Sequence, residues 1–270
     1  MKYLLDKDGV RALEAFCMAE TLFAFDYDGT LAPIVDDPRK AKMRLKTSNL
    51  LCDIATLVPV ALISGRSRQD VAQFVSCKVD YVVGNHGLEG IPGGSPSLEQ
   101  AESACRAWNA RLQSEISIEG VVIEDKRYSL ALHYRMAQDK RQAKAVLLET
   151  ASALMPPPRI VMGKCVVNLI SPGAPHKGIA LLEVMLRSGS RSAVYFGDDD
   201  NDEDVFRLGE ENLLTVRIGR SDHSAALFYL NSQDEMDQVL RLCWGAMVKA
   251  GKNPREYVYG HLEGGSAKDG

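Results

Sequence analysis

Apolar and polar positions alternate along this chain with two different rhythms. Residues 9 to 20 carry the spacing of an amphipathic helix, and "TLFAF" (21–25) then predicts a strand that delivers Asp26. A second helix near 47–57 leads into "VPVALISGR", whose apolar run is too short for a helix and too dense for a half-exposed strand. That density suits a strand buried on both faces of a parallel sheet. A helix over 67–76 and the strand "YVVGNHG" continue the alternation, which predicts a doubly wound α/β sheet of the Rossmann type.

The rhythm changes after the Gly/Pro-rich "GIPGGSP" (90–96), which reads as a hinge. Beyond it the pattern predicts a helix (97–114), strands at 119–124 and 128–135, a helix (138–153), and strands near 159–162 and 165–170. Two helices against paired hairpins make an α+β module. A second break, "SPGAP" (171–175), restores the α/β rhythm: a helix over 177–188 stopped by Gly189, the strand of "SAVYFGDDDND", strands near 213–218 and 226–230, and a helix over 233–249. The expected layout is a discontinuous α/β core, residues 1–90 and 172–270, with an α/β cap domain of residues 91–171 inserted between its halves. The tail "GGSAKDG" reads as mobile.

With 46% hydrophobic and 25% charged residues, the 270-residue chain has the composition of a globular protein. A formal net charge of −4 provides no basic footprint for nucleic acid or an anionic membrane. The first twenty residues interrupt their apolar content with Asp6, Lys7, Asp8, Arg11 and Glu14, unlike a signal peptide, and no run reaches the length of a membrane span. The six cysteines form no C-x-x-C pair and have no histidine partner at metal-ligand spacing. They read as buried, reduced thiols of a cytoplasmic protein, with a monomer as the expected state.

The candidate chemistry lies at strand ends. Asp26 and Asp28 flank Tyr27, so both can face one side of an extended or turning segment, and Gly29 permits the turn that follows. Alternatives are an Asx-rich turn or a calcium loop. The calcium loop fails because Leu31 stands where it needs glycine and no glutamate closes it. A second acid cluster, Asp198, Asp199, Asp200, Asp202, Glu203 and Asp204, ends another apolar strand. Glu203 and Asp204 can be explained by a helix dipole, but Asp198 cannot. Two sets of hard oxygen ligands at strand ends describe a Mg²⁺ site open to a phosphate, and the lack of histidine or cysteine among them argues against zinc. Ser64 and Gly65 at a third strand end, with Lys177 at a helix N-terminus, supply donors and positive charge for an anion.

Taken together, "DYDGT" (26–30), "ISGR" (63–66), Lys177 and "GDDDND" (197–202) resemble the four ordered motifs of the haloacid-dehalogenase-like phosphotransferases. The insert is similar to their type 2 cap. More narrowly, "GNHGLE" (84–89), "EDKRYSLALHYR" (124–135), "GKCVVNL" (163–169) and "GDDDNDEDVF" (197–206) resemble the trehalose-6-phosphate phosphatases. The resemblance implies Mg²⁺-dependent hydrolysis of that small-molecule sugar phosphate through an aspartyl-phosphate on Asp26. Asp28 would be the general acid and base; Asp26, Asp28, Asp198 and Asp202 the metal ligands; and Ser64, Lys177, Gly65 and Arg66 the phosphate-binding groups. Glu124, Lys126, Arg135, Lys164 and Asn168 would contact the sugar.

Two departures stand out: Asn168 replaces a usual glutamate, and His176 replaces a usual aspartate before the motif lysine. Asn168 keeps open another glycosyl phosphate, such as sucrose 6-phosphate or a glucosyl-glycerol phosphate. A non-catalytic sugar-phosphate sensor is the remaining alternative. His86 and His133 suit hydrogen-bonding roles in a hinge or strand as readily as catalytic ones.

Overall fold

The computed structural model describes residues 1–35, 40–91 and 98–255. Most of the break at 90–96 and the whole of "GGSAKDG" lie outside the described residues. In chain order the elements are β1 (Lys2–Tyr3), α1 (Lys7–Met18), β2 (Thr21–Phe25), α2 (Leu45–Leu57), β3 (Val60–Ile63), α3 (Arg68–Gln73) and β4 (Tyr81–Val83). There follow α4 (Leu98–Glu115), β5 (Val122–Asp125), β6 (Ser129–His133), α5 (Lys140–Ser152), β7 (Arg159–Gly163) and β8 (Val166–Ile170). The chain continues through α6 (Lys177–Ser188), β9 (Ser192–Gly197), α7 (Glu203–Phe206), β10 (Leu213–Ile218), β11 (Phe228–Leu230) and α8 (Met236–Lys249).

Seven strands form one sheet in the order β1-β11-β10-β9-β2-β3-β4, and every pairing in it is parallel. β2 shows why so short a segment can sit at its centre. All five of its residues are buried, and they alternate between two cores as the two-residue period of a strand requires. Phe23 and Phe25 pack with the α1, α2 and α8 side, where the Phe25 ring stacks 5.1 Å from Phe196. Leu22 and Ala24 pack with Leu181 and Val184 of α6. A strand without a polar face fits only between two helical layers.

A second, antiparallel sheet follows the order β5-β6-β8-β7, and a third core joins it to α4 and α5 around the fully buried Trp108. The Trp108 indole N–H donates to Pro156 O at 2.8 Å, so this large side chain is buried with its polar atom satisfied. β1 was not apparent in the sequence pattern, because two residues carry no periodicity; it is an edge strand on β11.

The cysteine expectation needs one correction. Cys17, Cys105 and Cys243 are buried and free, and Cys165 is free and half-buried, but Cys52 of α2 and Cys77 beyond α3 are joined by a disulfide with a Cα–Cα distance of 5.6 Å. Their separation of 25 residues concealed a proximity that exists only after α2 and α3 dock. Among the described residues, no helix is long and apolar enough to cross a membrane.

Candidate active site

In a parallel sheet the carboxyl ends of neighbouring strands open at one edge, and the predicted motifs meet there. Asp26 follows β2, Ser64 follows β3 and Asp198 follows β9, with β2 paired to both neighbours. The Asp26 N–H donates to Phe196 O at 2.8 Å, which fixes the acid against β9. Gly29 then turns the chain at φ +81°, and a Cβ there would stand 2.1 Å from Asp198 Oδ2. The two acidic segments can therefore approach only across a glycine.

Lys177 is the charge that holds this edge together. Its side chain is 1% exposed, and Nζ lies 3.0 Å from Asp26 Oδ1 and 2.8 Å from Asp202 Oδ1. Burial works against the ammonium, but Asp202 and Asp26 outweigh it and hold the group above its ordinary range. Asp202 is saturated as an acceptor. Oδ1 takes Lys177 Nζ and the Tyr195 hydroxyl at 2.7 Å, while Oδ2 takes the N–H groups of Asp198 and Asp199, both at 2.9 Å. A carboxylate offers about four lone-pair sites, so none remains. Neither Tyr195 nor this saturation was foreseen from the sequence.

Asp26 and Asp198 are less well compensated. Burial, opposed by Lys177 and reinforced by Asp202, pushes the Asp26 carboxyl well above the usual range. Burial and Asp202 push Asp198 up to about 7 despite Lys164. Asp26, Asp198 and Asp202 bring carboxylate oxygens within 4.8 Å of one another, all buried. An all-oxygen set short of positive charge fits a hard dication such as Mg²⁺. With Asp202 committed to its four donors, Asp26 and Asp198 are the members with oxygen to offer.

The phosphate-side residues divide. Ser64 is buried and free of helix-capping duty, because Ser67 caps α3 by accepting the Asp70 N–H at 3.1 Å. Arg66 forks onto Asp28, Nε to Oδ2 at 2.5 Å and Nη2 to Oδ1 at 2.6 Å, and its guanidinium carbon lies 5.6 and 5.1 Å from the Tyr27 and Phe74 ring centres. His176 caps α6, its Nδ1 accepting the N–H groups of Gly178 and Ile179. An imidazole thus does here what an aspartate would do, without the charge.

The antiparallel sheet brings most of its predicted residues to the same edge. Lys164 Nζ reaches Asp198 Oδ2 at 2.6 Å, and the largely covered Lys126 donates to Gly65 O at 3.0 Å. Glu124 Oε2 accepts from His133 Nε2 at 2.7 Å, and His133 and Lys126 hold its carboxyl down at about 2 against the effect of burial. Asn168 is buried, with Nδ2 donating to Val161 O at 3.3 Å. Arg135 donates to the backbone oxygen of Lys164. Both ring nitrogens of His86 are buried and make no well-formed hydrogen bond among the described residues, with the Asn168 side chain approaching the ring. In the second acid cluster, Glu203 is taken up by Arg217 at 3.1 Å and the Ala225 N–H at 3.0 Å.

The chain has relatives among known proteins. A trehalose-phosphate phosphatase of Mycobacterium avium is 35% identical over 233 residues, which span 77% of this chain and 58% of that protein. Its counterpart in Mycobacterium tuberculosis is 32% identical over 242 residues, covering 82% of this chain and 62% of that protein. This chain therefore spans about three-fifths of the length of the curated relatives it matches. The C-terminal domain of the C. albicans trehalose-6-phosphate phosphatase superposes with a TM-score of 0.74 at 20% identity, covering 91% of this chain and 98% of that one, a likeness of fold. The trehalose-phosphatase family model matches residues 24–234, a stretch that runs from β2 through the insert to the 3₁₀ turn before α8, and the chain belongs to that family.

Proposed function

We propose that this protein removes phosphate from trehalose 6-phosphate, releasing trehalose and inorganic phosphate. The observation that carries the reading is the buried Asp26 carboxylate, set beside Asp198 and held by Lys177 at the end of the central strand pair. Asp26 attacks phosphorus, an O–P bond forms, and the bond from phosphorus to the sugar oxygen breaks. Asp28 gives that oxygen its proton and then takes one from the water that cleaves the aspartyl-phosphate. Bound Mg²⁺, held by Asp26 and Asp198 with the Asp28 carbonyl, supplies charge neutralisation between carboxylate and phosphate.

Asp202 acts by position: it fixes Lys177 and the backbone of Asp198. Ser64 and Lys177 bind the transferring phosphoryl oxygens. Arg66 now grips Asp28, and exchanging that carboxylate for a phosphate oxygen frees Asp28 to carry a proton. The antiparallel sheet serves as the cap, with Glu124, Lys126, Lys164 and Asn168 facing the sugar and Arg135 bracing Lys164. Closure of the cap over the core excludes bulk water.

Asn168 favours one second reading, the same chemistry on sucrose 6-phosphate or a glucosyl-glycerol phosphate, because its amide lacks the charge of the glutamate that the family pattern carries there. Phosphate release with Mg²⁺ from a panel of these sugar phosphates and an aryl phosphate, with chelator and Asp26→Asn controls, tests both. Preference for trehalose 6-phosphate supports the first reading. Metal-dependent activity without that preference overturns it.

A further inference from the structure

His86 is a buried side chain that the mechanism leaves without a task. Asn85 and His86 both lie in the left-handed region, at φ +49° and +59°, and the His86 N–H donates to Ser64 O at 3.0 Å. This backbone lays the ring on the phosphate-side turn, so that a Cβ on Gly65 would stand 2.5 Å from His86 Cε1. The residue is 4% exposed, and neither Nδ1 nor Nε2 makes a well-formed hydrogen bond among the described residues, although the Asn168 side chain approaches the ring. Lys126 of the β5–β6 turn, Lys177 of α6 and Arg159 of β7 act on it, and the Asn168 side chain on β8 faces it from the antiparallel sheet. Burial first, and then the three cations, hold the imidazole well below its ordinary range, so it is neutral with one N–H and one lone pair.

Buried polar atoms without partners are uncommon, because each costs the desolvation of its group. The chemistry of the missing partners is constrained. One must accept a hydrogen bond and the other must donate one. A phosphate oxygen only accepts, and a metal ion takes only the lone pair. Hydroxyl groups do both. The ring also lies between Ser64–Gly65, where the phosphate is proposed to bind, and Asn168, where the sugar is.

We propose that His86 is a specificity residue whose ring nitrogens contact hydroxyls of the substrate's sugar, paired with Asn168 across the gap between the two sheets. The proposal rests on the phosphatase reading and extends it to a residue of the core. A substrate entering when the sheets part meets the ring next to the phosphate turn.

The test compares kcat/KM of the full chain and of His86→Asn on trehalose 6-phosphate and on p-nitrophenyl phosphate, which has no sugar hydroxyls. Asparagine tolerates positive φ but lacks the reach of the imidazole. The loss on the sugar phosphate should exceed that on the aryl phosphate by about 10-fold or more. Equal losses overturn the proposal, since a residue that only shapes the Ser64 turn affects both substrates alike. If the wild-type chain prefers another sugar phosphate, the trehalose reading fails, and the same ratio taken with that sugar judges His86.

A measurement on intact His86 covers a variant that does not fold. In Asp26→Asn protein labelled with ¹⁵N-histidine, one of five histidine spectra is assigned to His86 and followed with added ligand. Its ring shifts should move with trehalose 6-phosphate and not with inorganic phosphate. No movement with the sugar phosphate, or the same movement with phosphate alone, means the ring holds only a buried water and overturns the proposal.

Discussion

Lys164 of the β7–β8 turn ion-pairs with Asp198, the residue after β9, Nζ to Oδ2 at 2.6 Å, so that an exposed cation beside the antiparallel sheet sits on a buried carboxylate at the edge of the parallel one. Asp198 is 3% exposed while the lysine is 53% exposed. The ammonium can withdraw to water at little cost, whereas the carboxylate cannot.

A divalent ion bound at Asp198 would have to displace Lys164. Lys164→Met should lower the Mg²⁺ concentration that gives half-maximal thermal stabilisation by about 3- to 10-fold, since a partly exposed pair is worth about 1 kcal/mol. An unchanged midpoint would show that the ion does not engage Asp198.

The pH response of Asp198 has a defined sign. Its carboxyl is raised from the model-compound value of 3.8 to about 7 on folding, so it contributes stability that is fully present below pH 3.8 and is lost as pH rises through about 7. An ion that needs the carboxylate should reverse the trend. Thermal melts should show Mg²⁺ raising Tm at pH 8 and raising it much less at pH 5. Equal stabilisation at both values would separate Mg²⁺ binding from this group.

Lys177 is the ion whose loss the fold tolerates least. Replacing it with methionine leaves Asp26 and Asp202 buried without their shared cation, and unpaired buried charges of this kind cost about 3–5 kcal/mol. Urea unfolding of Lys177→Met should show the midpoint displaced accordingly. Tyr195→Phe, which removes only one of four donors to Asp202, should cost about 1–2 kcal/mol by the same measurement.

Asp26→Asn should abolish phosphate release, by about 10³-fold or more, while the melting temperature holds, because Lys177 keeps Asp202 and a buried carboxylate is replaced by a neutral isostere. Substantial residual turnover would remove Asp26 from the nucleophile role.

The Arg66 fork makes a further case. Lysine cannot reproduce two parallel bonds to Asp28 or the stacking between Tyr27 and Phe74. Arg66→Lys should lower kcat/KM for sugar and aryl phosphates alike, by about 10-fold or more. A loss confined to the sugar would place Arg66 with the cap residues instead.

Much of this layout was legible from one dimension. The dense apolar runs before Asp26, Ser64 and Asp198 marked strands buried on both faces, and acids or small polar residues after such strands could only lie at one edge of a parallel sheet. Gly189 stopped α6 where expected, at φ +67°. What sequence could not show were relations between side chains distant along the chain. The Cys52–Cys77 bond depends on α2 and α3 being docked. The saturation of Asp202 depends on Tyr195 pointing inward from its own strand.

His176 looked like a lost acid until its Nδ1 was found at the α6 cap, since letters do not reveal which atom of a side chain is used. The Arg66–Asp28 fork was hidden for a related reason. Asp28 reads as the general acid and base and a metal ligand, and Arg66 as a phosphate-binding group, and nothing in their order shows that they bind each other.

The parallel sheet takes none of its strands from residues 98–170, and Asp26, Ser64, Lys177 and Asp198 all come from the segments on either side. The buried acids, Ser64 and Lys177 are therefore written in stretches of chain separate from the antiparallel sheet, and the two meet at a seam. Substitutions in the middle stretch can therefore change what faces the acids without touching the strands that carry them. The seam itself, where Lys164 touches Asp198 and Lys126 touches Gly65, is where such substitutions would have to be matched.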